Sequence, residues 1–365
     1  MPLSDIHSPT HLPPVVLDTY LANGWFRMGQ QLFTTQFLHF NDTFYSAFWL
    51  RIDLMKWTIS KSQEALLRRV DQQFTVSIDE YHYAPIDDQL FEKYRLSIHF
   101  EHSHSIQQLL SGTADYQIFH TRAIRIWDQE KLIGLGFFDE GVQCIAGISC
   151  LYDPDYRKYS LGKYMMIQKM RWAKQSSKRF FYPGYCAPGY RLFDYKLALA
   201  PAATYYFKLT SQRWNRWSDS IQLPIEIIEH KLQQLSEVLS QRGVAHVKLS
   251  YPYYDTNTAA HLRRFNLFDQ PILLALYSTQ THQFPIVYFD FIQGCFQLRK
   301  AQKFFSLNPE QPVPSHTFTE AILKAHIVFF IHSDPEIMAS FIQNNIRFWG
   351  EHFEFKTTGY IDRSE

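Results

Sequence analysis

Apolar positions along the chain change their period several times, and each change marks an element. Val16 to Leu21 fits a short helix stopped by Asn23-Gly24, and the aromatic and β-branched run Phe44 to Trp57 reads as a strand. Ser60-Lys61-Ser62-Gln63 offers a capped start to a helix through Arg69, and Phe74 to Ile78 alternates as a strand. Leu90 to Phe100 and Ile106 to Leu110 show helical spacing, the second closed by Ser111-Gly112. Ala123 to Trp127 and Ile133 to Phe138 flank the polar turn Asp128-Gln129-Glu130-Lys131, and Val142 to Tyr152 adds a third strand, so this stretch predicts a meander. Leu161, Tyr164, Met165, Ile167, Met170 and Ala173 then form a helical stripe within Ser160 to Lys174, and a strand from Arg179 to Tyr185 follows.

After about Ser218 the pattern changes. Ile225 to Arg242 is amphipathic at helical spacing, Val247 to Tyr254 reads as a strand, and Pro271 to Tyr277, Phe284 to Ile292 and Ala325 to Ile331 read as buried strands. The expected class is α/β in the α+β sense, in three parts: 1–85, 86–217 and an additional α/β domain over 218–365. A meander, a helix and one more strand are also the elements of a GNAT-type acyltransferase.

Composition narrows the class. With 46% hydrophobic and 17% aromatic residues most of the 365-residue chain should be folded. Lys+Arg 36 against Asp+Glu 35 leaves a net charge of +1, so any contact with nucleic acid must come from a local patch. Met1 to Asp5 lacks a basic start and an apolar run, and stretches such as Ile327 to Ile331 are too short to span a bilayer, which reads as cytoplasmic with no membrane partner. Cys144, Cys150, Cys186 and Cys295 form no C-x-x-C pair and are expected as free thiols.

One ordered set of motifs carries a resemblance. Tyr152-Asp153-Pro154, Ser160-Leu161-Gly162, Tyr182-Pro183-Gly184-Tyr185 and Asp194-Tyr195-Lys196 resemble the C-terminal domain of the arginyl- and leucyl-tRNA-protein transferases. Gly24-Trp25-Phe26-Arg27-Met28-Gly29, Arg51-Ile52 and Ser60 to Gln63 with Arg68-Arg69 are similar to that family's N-terminal part, so the likeness spans Gly24 to Tyr206. The family's cysteine cluster is missing, since Phe33 to Leu50 has no cysteine, and Phe33-Thr34-Thr35 and Leu192-Phe193 also depart from its pattern.

The resemblance implies a GNAT-like transferase fold with an N-terminal subdomain. It implies transfer of an amino acid, arginine or leucine, from aminoacyl-tRNA to the N-terminus of an acceptor protein; without the cysteine cluster, which in the family is linked to metal or iron-sulfur binding, no bound cofactor or metal is expected. Residues implied in catalysis are Asp153, Ser160, Leu161, Gly162, Tyr185, Tyr195 and Lys196; in substrate binding, Trp25, Arg27, Arg51, Tyr152, Tyr182 and Gly184. A helix starting at Ser160 would present free N–H groups to an oxyanion or a phosphate, and Lys196 would hold an acidic N-terminal residue or the ester's negative charge. Asp153 would orient the attacking amine or accept its proton.

Arg68, Arg69, Lys163, Lys169, Arg171, Lys174, Lys178 and Arg179 are the candidates for tRNA phosphates, with Trp25 and Trp172 to stack on bases. His99, His102 and His104 read as surface histidines. Two alternatives stay open: a GNAT-like acyltransferase using another donor, and a non-catalytic binding protein that keeps the fold.

Overall fold

The computed structural model describes residues 3–98, 103–276, 279, 281–307 and 316–352. The chain folds as two compact units, one formed by 7–34 with 47–219, the other by 1–6, 35–46 and 220–365.

The first unit is built on an eight-stranded sheet. Its elements in chain order are β1 (Phe48–Asp53), α1 (Lys61–Asp71), β2 (Thr75–Glu80), α2 (Pro85–Arg95), α3 (Ile106–Ser111), β3 (Thr121–Asp128), β4 (Lys131–Glu140) and β5 (Cys144–Tyr152). Then follow α4 (Leu161–Gln175), β6 (Phe180–Cys186), β7 (Thr204–Lys208) and β8 (Arg213–Arg216). The spatial order is β8-β7-β1-β6-β5-β4-β3-β2. Strands β2 to β5 are the antiparallel meander, while β5 and β6, joined through α4, run parallel. This mixed α/β architecture has the succession of meander, helix and one more strand that the sequence predicts.

Strand β4 is buried on both faces, which explains its unbroken apolar run. On one face α1 and α4 supply Leu66, Leu67, Val70, Tyr164, Met165 and Met170 against Ile124, Ile133 and Ile145. On the other, α2 and α3 lay Leu90, Phe91, Ile106 and Leu110 against Leu135, Phe137 and Leu151. Helix α1 begins where the sequence placed it: Ser60 Oγ accepts from the Gln63 amide at 3.3 Å and Gln63 Oε1 accepts from the Ser60 amide at 3.1 Å.

Three expectations are corrected. Residues 1–85 do not form a body of their own, because β1 lies inside the sheet between β6 and β7 and β2 is its far edge. The single strand expected over Phe44 to Trp57 breaks at Ala47; Thr43–Ser46 pairs with Phe37–Phe40 in a hairpin of the second unit, and Phe48–Asp53 is β1. The helix expected to reach Phe100 ends at Arg95, and Phe100 lies outside the described residues.

The second unit carries α5 (Pro224–Gln241) and the antiparallel sheet β9 (Val247–Ser250), β10 (Ile272–Ala275), β11 (Gln283–Asp290), β12 (Cys295–Ser306) and β13 (Ala321–His332), followed by α6 (Pro335–His352). Ile225, Ile228, Leu232, Leu235 and Leu239 form the buried stripe of α5, which packs on β10, β11 and α6. Strand β9 stops at Ser250 because Pro252 opens a 3₁₀ turn through Thr258. Strand β12 escapes a search for apolar runs because Arg299, Lys300 and Lys303 interrupt it. Tyr277, expected at the end of β10, lies outside the described residues. Among the described residues no helix is long and apolar enough to cross a membrane.

Candidate functional site

Strands β5 and β6 pair only over Cys144–Phe180, Ile145–Phe181 and Ala146–Tyr182, and then part. Both are irregular where they part: β5 bulges between Gly147 and Ser149, and β6 shifts register against β1 between Phe181 and Gly184. Diverging parallel strands expose backbone groups that a ladder would otherwise consume. The cleft between them holds about 790 Å³. Gly147 to Tyr152 form one wall, Pro183, Gly184 and Tyr185 the other, and Gly162 and Lys163 bring the start of α4 to it.

That helix start is unusual. The 3₁₀ turn Pro154–Tyr159 runs straight into α4, so Ser160 sits at the junction in the left-handed region (φ 55°) and its side chain caps nothing. The amides of Leu161, Gly162 and Lys163 precede the first intrahelical bond, Tyr164 N–H to Ser160 O at 3.0 Å, and belong to the positive end of the helix dipole. Leu161, expected among the catalytic residues, is corrected: its side chain is fully buried in the core and only its amide belongs to the helix start.

Lys196 enters the cleft from the opposite side. Its Nζ donates to the Tyr185 carbonyl at 2.8 Å and lies over the rings of Phe193 and Tyr185, at 4.8 and 5.2 Å from their centroids. It makes no ion pair among the described residues, and burial lowers its pKa to about 8. Gly184 makes room for it: φ is +89°, and a Cβ there would stand 3.3 Å from Nζ. Tyr185 packs edge-on against Trp49, which stacks on Phe26 at 3.9 Å, so an aromatic wall continues from the lysine. Tyr195 lines the same cleft with its side chain half exposed, and Tyr152 meets Tyr94 edge-on at 5.5 Å.

Other expected residues stand elsewhere. Asp153 is buried beyond the end of β5, accepts the Asp155 amide at 3.0 Å, and is held by Lys93 at 2.7 Å and Lys131 at 2.8 Å. Burial works against its charge, but the two lysines and the amide prevail and hold its pKa below the ordinary carboxylate value. It is a structural anchor tied to two lysines and does not line the cleft, so its expected catalytic role is corrected. A depressed pKa contributes stability above the ordinary value of 3.8 that is lost as pH falls through the folded value. Asp153→Asn should therefore be clearly less stable than wild type in urea melts at pH 6, with the gap closing at pH 2; an equal gap at both would refute the assignment.

Trp25 is buried and stacks on His7 at 4.2 Å, and Tyr182 is buried against Phe26 and Trp214, so neither reaches a ligand. Arg51 lies between Phe180 (4.2 Å) and Trp214 (4.5 Å), outside the cleft. Arg27 does border the cleft, but its guanidinium is spent on Asp139 (2.7 Å), Thr121 Oγ1 (2.8 Å), the Gly29 carbonyl (2.7 Å) and the Leu110 carbonyl.

Of the basic candidates, Arg68, Arg69, Lys163, Lys174 and Arg179 are exposed, and Arg171 lies 3.6 Å from Asp71. Lys178 is held by Glu140 at 2.9 Å and by the Gly141 carbonyl. Lys169 is the largest departure: it is 0% exposed, buried beneath the sheet, and unavailable to any phosphate. Trp172 tilts against Phe138 with Arg122 over its ring. His104 is exposed, and His99 and His102 lie outside the described residues. Sequence reasoning missed Phe26, Phe33, Trp49, Cys150 and Asp139 at the cleft; the acid that directly ends the apolar run of β4, ahead of Glu140, was the available signal for Asp139.

Residues 87–206 match the family model described as "Arginine-tRNA-protein transferase, C terminus". The chain is 26% identical over 209 residues to an aspartate/glutamate leucyltransferase of Shewanella sp. (strain MR-4), covering 56% of this chain and 82% of that one. It is 27% identical over 175 residues to arginyl-tRNA--protein transferase 1 of Drosophila melanogaster, covering 42% of this chain and 35% of that one. Among solved structures, a GCN5-related N-acetyltransferase from Anabaena variabilis aligns at 12% identity over 74% of this chain and 55% of that one, with a TM-score of 0.30. The resemblance carried by the four C-terminal motifs is thus shown, at modest identity, across the segment that builds the cleft.

Proposed function

From this kinship with aminoacyl-tRNA-protein transferases, we propose that the protein moves an amino acid, arginine or leucine, from aminoacyl-tRNA onto the N-terminus of an acceptor protein. The observation that carries the reading is the cleft between β5 and β6, lined both by the start of α4 and by buried Lys196, which makes no ion pair among the described residues.

The chemistry asks little more of the protein. The ester is already activated, so the acceptor's amine attacks the carbonyl carbon, negative charge collects on the carbonyl oxygen, and the ribose oxygen departs with a proton. The amides of Gly162 and Lys163, with Lys163 itself, suit a phosphate or the developing oxyanion. Lys196 suits a carboxylate or the oxyanion, and its pKa of about 8 leaves it mostly charged at pH 7. The aromatic wall of Trp49, Tyr185 and Phe193 suits a planar base or an apolar side chain. Arg68, Arg69, Lys163, Arg171 and Lys174 are the proposed phosphate contacts, and the modified proteins would feed N-degron degradation in the cytoplasm.

The test is transfer of radiolabelled amino acid from a mixed aminoacyl-tRNA pool onto peptides that differ only in their N-terminal residue. Label in a peptide, decreasing as salt rises, is the expected result. A folded protein that labels no peptide would refute the reading in favour of another acyl donor or a binding role.

A further inference from the structure

Lys169 is the buried group that the reading above leaves unused. It projects from α4 under the sheet, and its Nζ donates to the Phe137 carbonyl on β4 at 2.8 Å, to the Ser149 carbonyl on β5 at 2.8 Å, and to Cys150 Sγ at 3.2 Å. Phe137 and Ser149 are cross-strand partners just past the bulge. Gly147 pairs with Phe138 and Ser149 with Phe137, which leaves Ile148 as the extra residue. A bulge disrupts the ladder locally and leaves carbonyls short of donors, and an amine carrying three hydrogens can serve them. The sequence clears the path for its stem: a Cβ on Gly136 would stand 3.3 Å from Lys169 Cε and 3.1 Å from Met165 Sδ.

We propose that Lys169 is the positioning residue of the cleft, its amine pinning the bulged segment of β5 to β4 so that Gly147 to Leu151 stay parted from β6. Methionine would fill the same space without a buried polar head, so packing alone does not call for a lysine here. Two of its three bonds, to Ser149 and Cys150, end on the strand segment that forms one wall of the cleft, and the third ties that segment to β4. Without those bonds the extra residue is free to be absorbed and β5 to close on β6. The activity arm of the test rests on the transferase reading; the exchange arm does not.

The experiment compares the full chain with Lys169→Met and Lys169→Gln by peptide-resolved hydrogen exchange and by transfer kinetics. In Lys169→Met, peptides covering 146–152 are expected to exchange at least about tenfold faster while those from β2 and β3 stay unchanged. Transfer kcat is expected to fall about 100-fold with KM for aminoacyl-tRNA within about threefold, a split that general destabilisation would not give. Unchanged exchange over 146–152, or kcat within about threefold of wild type in a folded variant, overturns the proposal. Should neither variant fold, reductive methylation of the native wild-type chain decides: Lys169 is expected to react about 100 times more slowly than Lys163, and equal rates overturn the assignment. A wild-type chain that transfers from no aminoacyl-tRNA sinks the transferase reading, while exchange in the variants still decides for or against Lys169.

Discussion

Replacing Lys196 with methionine is expected to cut transfer by about 100-fold or more and, at neutral pH, to make the protein more stable. The two effects have one cause. Among the described residues buried Lys196 donates to the Tyr185 carbonyl and makes no ion pair, and burial brings its pKa from 10.5 to about 8. That shift corresponds to roughly 3 kcal/mol against the charged form in the folded chain. Below pH 8 the folded and unfolded states both hold the proton and the native state bears the full penalty. Between about 8 and 10.5 the unfolded chain binds more protons, so wild-type stability rises with pH. The advantage of Lys196→Met should therefore be largest at pH 7 and be nearly gone at pH 11, as thermal melts at both would read. A methionine variant that transfers normally would remove Lys196 from the chemistry. One that is less stable by the same margin at both values would show a packing role instead.

The second large effect lies at the other end of the cleft. Asp139 accepts from Arg27 at 2.7 Å and from Thr121 Oγ1 at 2.8 Å, with side-chain exposures of 7% for Arg27 and 0% for Asp139. Burial raises the carboxyl pKa while the guanidinium pulls it back, so the two charges tolerate the interior only together. Asp139→Ala leaves Arg27 buried without its counter-charge and is expected to cost about 3–5 kcal/mol in urea unfolding. Arg27→Met with Asp139→Leu should recover most of that loss, because apolar groups of similar size replace a pair whose desolvation nearly cancels its attraction. A loss below about 1 kcal/mol for Asp139→Ala would mean that the guanidinium finds enough in the Gly29 and Leu110 carbonyls and the Phe119 ring beneath it.

Local signals proved legible wherever the chain's own spacing decides the outcome. The meander from Ala123 to Tyr152, the stripe from Leu161 to Ala173 and the capping box at Ser60 are matters of period and short-range hydrogen bonding, and they fold as read. The run Phe44 to Trp57 misled because apolar pattern does not say which sheet a strand joins. Its first half pairs with Phe37–Phe40 and its second with β6, a choice made by partners about 130 residues apart. Lys169 and Asp153 misled for a related reason: charge read from a sequence is taken as solvated, yet both are buried against groups from other strands.

The sequence by itself determined the family resemblance, the order of elements in the segment that carries it, and the residues Gly162, Lys163, Gly184, Tyr185, Tyr195 and Lys196 that border one cleft. Short motifs and periodicities are local, and each of these follows from residues near it in the chain. Only the tertiary structure decided that β5 and β6 part after three pairs, that Ser160 leaves the helix start uncapped, and that Lys169 reaches two strand carbonyls while Lys196 makes no ion pair among the described residues. Those outcomes depend on which strands meet, and desolvation on that scale is a property of the packed whole.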